Sequence, residues 1–271
     1  SNPTTSGNQL PVYRFLIPSA PTGSITPSSI TPTLVGTVNI TSTAATRIDL
    51  EGLATNPSGR VSAVNEARVT GSTTAIDPVV LVVNNLDQPF TPASVSPTRT
   101  PSNLLRFGFE SGADFAGNTL YNISGNPVTA NGPVGSSLYT ITTANPVTLS
   151  LVAAAPTTAQ IQGTQPTNPG KYADGLAIDN LNPGPTRAFA SDFDNRDEIA
   201  SDNTKNNLYK VDLLTGQLSE PIVLRTPSGE NLNVIRGFGD NPEFGFGLDS
   251  GLAFTNSGSQ RLLALLENGA V

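Results

Sequence analysis

The chain has 271 residues, 37% apolar and only 13% charged, with 25 Gly, 23 Pro, and neither Cys nor His. Lacking those two residue types, it has no disulfides or thiolate sites, and it excludes Ser-His-Asp, Cys-His and His-ligated metal chemistry. A net charge of −7 with three lysines supplies no basic patch for phosphates, so the chain is not read as a nucleic-acid binder, and no apolar run is long enough to span a membrane.

Polarity comes from Thr, Ser and Asn, which suit turns and exposed strand faces. Frequent Pro removes backbone donors and clashes with preceding helical turns, so many short strands joined by turns are expected. The chain starts with Ser1 rather than Met and reads as a processed or trimmed form. Its acidity, low Lys content and Thr/Ser/Asn/Pro richness point towards a secreted bacterial, extracellular or cell-surface protein.

Residues 1–11 are polar and Pro-containing and read as a loose arm. Strands follow at Val12–Ile17 and Leu34–Ile40, with a Pro/Ser/Thr loop between them. The runs Ile48–Thr55 and Val61–Glu66 flank Asn56-Pro57-Ser58-Gly59, a turn with Pro at its first central position, and predict a hairpin. Val79–Val83 is a strand, and residues 86–103 are Pro-rich with little strand signal. Strands return at Ser137–Ile141, Val147–Val152, Asp174–Asp179, Arg187–Asp192, Asn207–Asp212 and Leu218–Leu224, and the last two at Asp249–Thr255 and Arg261–Glu267.

One phrase recurs along this series: an acid, a glycine, an apolar step, then a second apolar run about ten residues later. It occurs at Glu51-Gly52-Leu53-Ala54, Glu110-Ser111-Gly112-Ala113, Asp174-Gly175-Leu176-Ala177 and Asp249-Ser250-Gly251-Leu252, at intervals of roughly sixty to seventy-five residues. Phe107-Gly108-Phe109-Glu110-Ser111-Gly112 is echoed by Phe246-Gly247-Leu248-Asp249-Ser250-Gly251. Recurrence at a fixed spacing is the mark of repeat architectures. The expectation is an all-β propeller of four four-stranded blades, approximately 12–66, 79–124, 137–192 and 207–267, in one domain over 12–271. Five blades or two packed β-sandwiches are the alternatives. The ring could close by placing the strand at Val12–Phe15 beside the last unit, removing exposed sheet edges, or residues 12–17 open their own blade and closure is made by packing alone. Tyr13, Tyr139 and Tyr209 share one position of the repeat and are expected to pack between blades.

Asn207-Leu208-Tyr209-Lys210-Val211-Asp212-Leu213-Leu214-Thr215-Gly216 and Asp174-Gly175-Leu176-Ala177-Ile178-Asp179 resemble bacterial extracellular β-propeller proteins of unassigned function, in which Leu-Tyr-x-Ile-Asp-x-x-Thr-Gly alternates with Gly-Leu-Ala-x-Asp. More distantly, Asp49-Leu50-Glu51-Gly52-Leu53-Ala54 is similar to the blade phrase of calcium-dependent propeller lactonases and phytase-like esterases.

The repeated acids Glu51, Glu110, Asp174 and Asp249 are the first candidate site. In a ring they would lie at one level, and converging carboxylates repel, stay partly protonated or take up a hard cation such as Ca²⁺. The competing, favoured reading is that each acid bonds backbone donors of its own or the next blade. A second candidate is the acidic loop carrying Asp192, Asp194 and Asp197, whose oxygen density suits Ca²⁺ but which lacks the Gly and distal Glu of an EF-hand. A solvated loop partly neutralised by Arg196 is the favoured alternative. No nucleophile elbow, P-loop or dinucleotide fingerprint is present, and the Gly-rich stretch Gly237–Gly247 lacks phosphate-loop spacing.

The expected function is a secreted or surface-attached, non-enzymatic binding, adhesive or structural module. Its partners would be proteins or matrix components, with self-association through residues 1–17 as a variant. The rival is a cation-dependent lactonase or esterase with a metal in a central channel.

Overall fold

The computed structural model describes residues 9–17, 31–40, 50–65, 79–83, 94–95, 98–101, 110–126, 135–142, 149–182, 184, 187–192, 207–223, 229, 250–255 and 260–266. Among them the protein is all-β, with a single four-residue helix, α1 (Thr158–Ile161), closed at its start by a Thr157/Gln160 capping box. The strands form several small sheets, antiparallel in every pair but one.

The first four-stranded sheet orders β3 (Leu50–Thr55), β4 (Val61–Asn65), β5 (Val79–Val83) and β7 (Thr98–Pro101). The second runs β8 (Glu110–Ala116), β9 (Thr119–Asn126), β10 (Gly135–Ile141), β11 (Leu149–Leu151), with β12 (Asn168–Pro169) also paired to β10. The third orders β13 (Gly175–Ile178), β14 (Ala188–Asp192), β15 (Asn207–Lys210) and β16 (Ile222–Val223). A two-stranded sheet pairs β17 (Ser250–Phe254) with β18 (Leu262–Leu266), and a separate sheet joins β1 (Gln9–Arg14), β2 (Thr33–Ile40) and the parallel β6 (Ser94–Val95).

Local chemistry sets these hairpins. The Asn56 side-chain oxygen accepts from the backbone N–H groups of Ser58 and Arg60, both at 3.0 Å, and Gly59 takes the left-handed φ of 78° that turns β3 into β4. The expected hairpin is therefore present. A two-residue turn with Gly117 at φ 58° joins β8 to β9, and Gly216 at φ 70° ends the Thr215-Gly216 turn.

The sheets stack face to face, and strand alternation divides their side chains between two interfaces. Ala54 and Val64 of the first sheet meet Ala113, Phe115, Leu120, Tyr139 and Ile141 of the second. The second sheet's other face gives Ile123 and Leu138 to Leu176, Ile178, Ala188, Ala190 and Tyr209 of the third. Ala177 and Leu208, on the opposite face of that third sheet, pack with Leu252 of β17, against which Phe254 and Leu262 also lie. Thus Leu176 and Ala177, adjacent in sequence, serve different interfaces, as do Leu138 and Tyr139. The leading strands adjoin in turn: β3 touches β8, β8 touches β13, β13 touches β17, and β17 also touches β3.

Several expectations are corrected. The sheets do not follow the segments 12–66, 79–124, 137–192 and 207–267, because the acid–glycine strand opens each four-stranded sheet rather than sitting third. The Tyr strand is the third member, since Leu138 pairs with Ile123 on β9 and Tyr209 with Ala190 on β14. The N-terminal strand pairs with β2, from Gln9↔Asn39 to Arg14↔Thr33, and among the described residues not with β18. Sequence neighbours with matching apolar runs form the local hairpin, and β1 already begins at Gln9, inside the segment expected as a loose arm. Tyr139 and Tyr209 are buried between sheets, but Tyr13 is 54% exposed and makes no such packing. The stretch Gly237–Gly247 lies outside the described residues.

Candidate functional site

Two of the recurrent glycines, Gly52 and Gly112, stand where leading strands approach too closely for a side chain. A Cβ at Gly52 would lie 2.8 Å from the Ala113 Cβ, and one at Gly112 would lie 2.5 Å from the Leu176 backbone nitrogen and overlap the Asp174 carbonyl. A Cβ at Gly175 would overlap the Ser191 hydroxyl and meet the Leu252 Cβ at 3.4 Å. Real Cβ contacts do not fall below about 3 Å without displacement, so these positions require glycine for space rather than for φ. Equivalent points of the phrase are thereby held beside one another at Gly52 and Gly112, across two successive interfaces, whereas the crowding at Gly175 comes from Ser191 of its own sheet.

This alignment places the backbones of Glu51, Glu110 and Asp174 near corresponding ends of adjoining strands. Glu51 lies in β3, Glu110 opens β8, and Asp174 immediately precedes β13. Asp174 is buried, and its backbone N–H donates to the Ser191 carbonyl at 3.0 Å. Asp249, Asp194 and Asp197 lie outside the described residues, and Asp192 ends β14 opposite Asn207. Among the described residues no three His, Cys, Asp or Glu gather as a metal-binding group.

The best-formed polar junction is one residue class further along the phrase. On β8, Gly112 and Asp114 share a face by strand alternation. Gly112 lies against β13, and Asp114 reaches the same strand: one carboxylate oxygen accepts from the Ile178 N–H at 2.7 Å, the other from its neighbour Phe115 N–H at 2.8 Å. Burial pushes the Asp114 carboxyl up to about 7, against the opposing pull of backbone groups of Ile178, Phe115 and, on β3, Thr55. Asp114 retains intermediate exposure as a residue, while its carboxyl is enclosed by three leading strands.

Amides and hydroxyls make the remaining ties. Asn180 donates to the Phe115 carbonyl at 2.6 Å and accepts from the Gly117 N–H at 3.0 Å, so a third-sheet loop holds the second sheet's tight turn. Asn168 donates to the Ser136 and Gly216 carbonyls at 3.2 and 2.8 Å and accepts from the Leu218 N–H at 2.8 Å. The Ser136 hydroxyl accepts from the Ala173 N–H at 2.7 Å, and Asn122 donates to the Gly112 carbonyl at 3.1 Å. Burial pushes the Tyr139 phenol up to about 12, with the Ser137 side chain opposing it.

At the surface, burial raises the Asp179 carboxyl, but bonds from Gln260, Asn182 and Leu181 outweigh it and hold that carboxyl below its ordinary value. The Leu214 N–H lowers Asp212 in the same sense, supported by Thr215. Asp114 and Asn168 were not singled out from sequence. For Asp114 the period-two placement behind Gly112 is a usable signal, whereas nothing local marks Asn168. Compared with known proteins, the chain matches no family model, and no curated protein matches it.

Proposed function

We propose that the four sheets led by the glycine phrase are the blades of a four-bladed β-propeller, and that the protein is a secreted or surface-attached, non-enzymatic binding, adhesive or structural module. The resemblance to bacterial extracellular propeller proteins carries the same implication. The single observation that supports the structural reading most is how four polar side chains between sheets are used, although one buried side-chain oxygen of each of Thr167, Asp174 and Ser191 takes no hydrogen bond. Asp114, Ser136, Asn168 and Asn180 all bond backbone groups outside their own sheet. Groups committed in this way hold a scaffold rather than meet a substrate.

The surface for a partner, on this reading, is the N-terminal hairpin and the residues just beyond it. Tyr13, Phe15, Leu16 and Ile17 expose large apolar area, with Leu16 at 92%, and Leu34 opposite Tyr13 is also exposed. Contiguous exposed apolar residues favour association. Deleting residues 1–17 is expected to lower the molar mass seen by light scattering, or to abolish binding to matrix preparations. Unchanged assembly and binding argue against this surface.

The rival reading, a Ca²⁺-dependent lactonase or esterase, draws support from the alignment of the Glu51, Glu110 and Asp174 backbones. There a channel ion would polarise a carbonyl and acidify a water. Calorimetry with Ca²⁺ and a lactone panel separate the two. The scaffold reading predicts no micromolar binding, no hydrolysis and a melting temperature unmoved by chelator. Hydrolysis lost in Glu110→Gln and restored by no other acid overturns it.

A further inference from the structure

In each four-stranded sheet the glycine of the recurrent phrase pairs with a residue on the second strand, which pairs in turn with a fixed position on the third. Gly52, Val64 and Val82 form this row in the first sheet, Gly112, Ile123 and Leu138 in the second, and Gly175, Ser191 and Leu208 in the third. Tyr139 and Tyr209 follow directly after Leu138 and Leu208, and both are buried. On the fourth sheet the row runs from Gly251 to Leu265 and stops there: among the described residues β18 pairs only with β17.

The N-terminal hairpin carries the pattern that would continue the row. Val12-Tyr13-Arg14-Phe15 repeats the apolar, Tyr, cationic, apolar order of Leu208-Tyr209-Lys210-Val211. With Val12 opposite Leu265, Tyr13 falls opposite Ala264 and Arg14 opposite Leu263, just as Tyr209 lies opposite Ala190 and Lys210 opposite Phe189. Ala190 is fully buried, whereas Ala264 and Tyr13 are exposed, so this pairing gives each the cover its counterpart already has. Within its own sheet, ordered β1-β2-β6, β1 is the terminal strand, so it can offer its outer edge while β2 stays paired to it. The resulting order, β17-β18-β1-β2, has four strands like the other three sheets. Pro11, which has no N–H, ends the match on the N-terminal side. In its own chain the hairpin is tied through β2 to β6, which stands just before β7, the outermost strand of the first sheet. The hairpin available to β18 is therefore that of another molecule.

We propose that β18 is the acceptor edge for the N-terminal hairpin of a second copy of this chain, with Val12–Phe15 added antiparallel to Leu262–Leu265 as the third strand of the sheet. This rests on the reading of that hairpin as the association surface, and names the edge it meets.

The test uses the lack of native Cys. Phe189 and Lys210 form a non-hydrogen-bonded pair, next to the bond from the Val211 N–H to the Ala188 carbonyl. The equivalent pair, Leu263 and Arg14, would bring Cα atoms to about 4.5 Å, within reach of a disulfide. Full-length Arg14→Cys and Leu263→Cys chains are mixed and oxidised, beside light scattering of the wild type and of a chain lacking residues 1–17. The expected product is a disulfide-linked pair with one chain of each variant, suppressed by excess wild type. It should be absent when Ala264→Cys replaces Leu263→Cys, because a one-residue offset turns the side chain to the other face. Association that is lost on removing residues 1–17 but gives no such linked pair overturns the acceptor edge and leaves the hairpin as the association surface. A wild type that stays monomeric overturns both. A chain carrying both Arg14→Cys and Leu263→Cys that closes the bond within itself, while the mixture yields no linked pair, assigns β18 to the chain's own hairpin and overturns the second copy.

Discussion

At the residue scale, the glycines of the recurrent phrase are explained by space rather than by turn geometry. Gly112 would place a methyl on the backbone of Asp174 and Leu176, atoms that cannot move without shifting β13. Gly112→Ala is therefore expected to destabilise the protein by about 3 kcal/mol. Gly184, which has open space around it and no left-handed φ, should tolerate the same change within about 0.5 kcal/mol. Chemical denaturation of both variants checks the pair, and equal effects would contradict the packing argument. Asn168 is a second sharp position, because its side chain alone pairs three buried backbone groups. Asn168→Ala leaves them without that partner and should cost about 3 kcal/mol. The glycine phrase was legible in the sequence because spacing repeats it. Asn168 was not, because its partners Ser136, Gly216 and Leu218 lie far away along the chain, and only the fold brings them together.

At the element scale, each middle sheet must satisfy two neighbours, and strand alternation does this with single residues. On β13, Leu176 and Ile178 face the second sheet while Ala177 faces β17. On β3, Ala54 is buried and Leu53, its neighbour, is 55% exposed. Leu176→Ala should lose about 3 kcal/mol through the cavity it leaves, while Leu53→Ala should stay within about 0.5 kcal/mol. Urea midpoints for the two variants test the alternation directly, and a reversal of their order would mean the faces are assigned wrongly. The strands themselves were legible from apolar runs and turn residues, including the Asn56–Gly59 hairpin. Their grouping was not. A period-two pattern reveals that a strand has two faces but not which sequence neighbour it pairs with, so the Tyr strands were assigned to the start of a sheet rather than its third place. The same ambiguity put β1 beside the last sheet, when its apolar run pairs locally with β2.

At the scale of the whole molecule, four leading strands follow one another in contact, and the last also meets the first. Of the acids that drew attention in the sequence, Glu51 and Glu110 lie at the starts of β3 and β8, and Asp174, just before β13, is buried. That all-β character was readable from Pro, Gly and Thr content, since helices could not survive it. The site was readable only in part: the phrase located the right strands, but the carboxyl that joins them is Asp114, hidden by its apolar neighbours Ala113 and Phe115. The ring reading makes β3 and β17 neighbours, whereas a row of stacked sheets would separate its first and last members by three spacings of about 10 Å. The absence of native Cys makes the distance directly measurable. Nitroxide labels at Leu53→Cys on β3 and Ala253→Cys on β17, both exposed positions, should show by pulsed electron resonance a mean separation below about 20 Å if the sheets encircle a common centre. A separation of about 30 Å or more would contradict it.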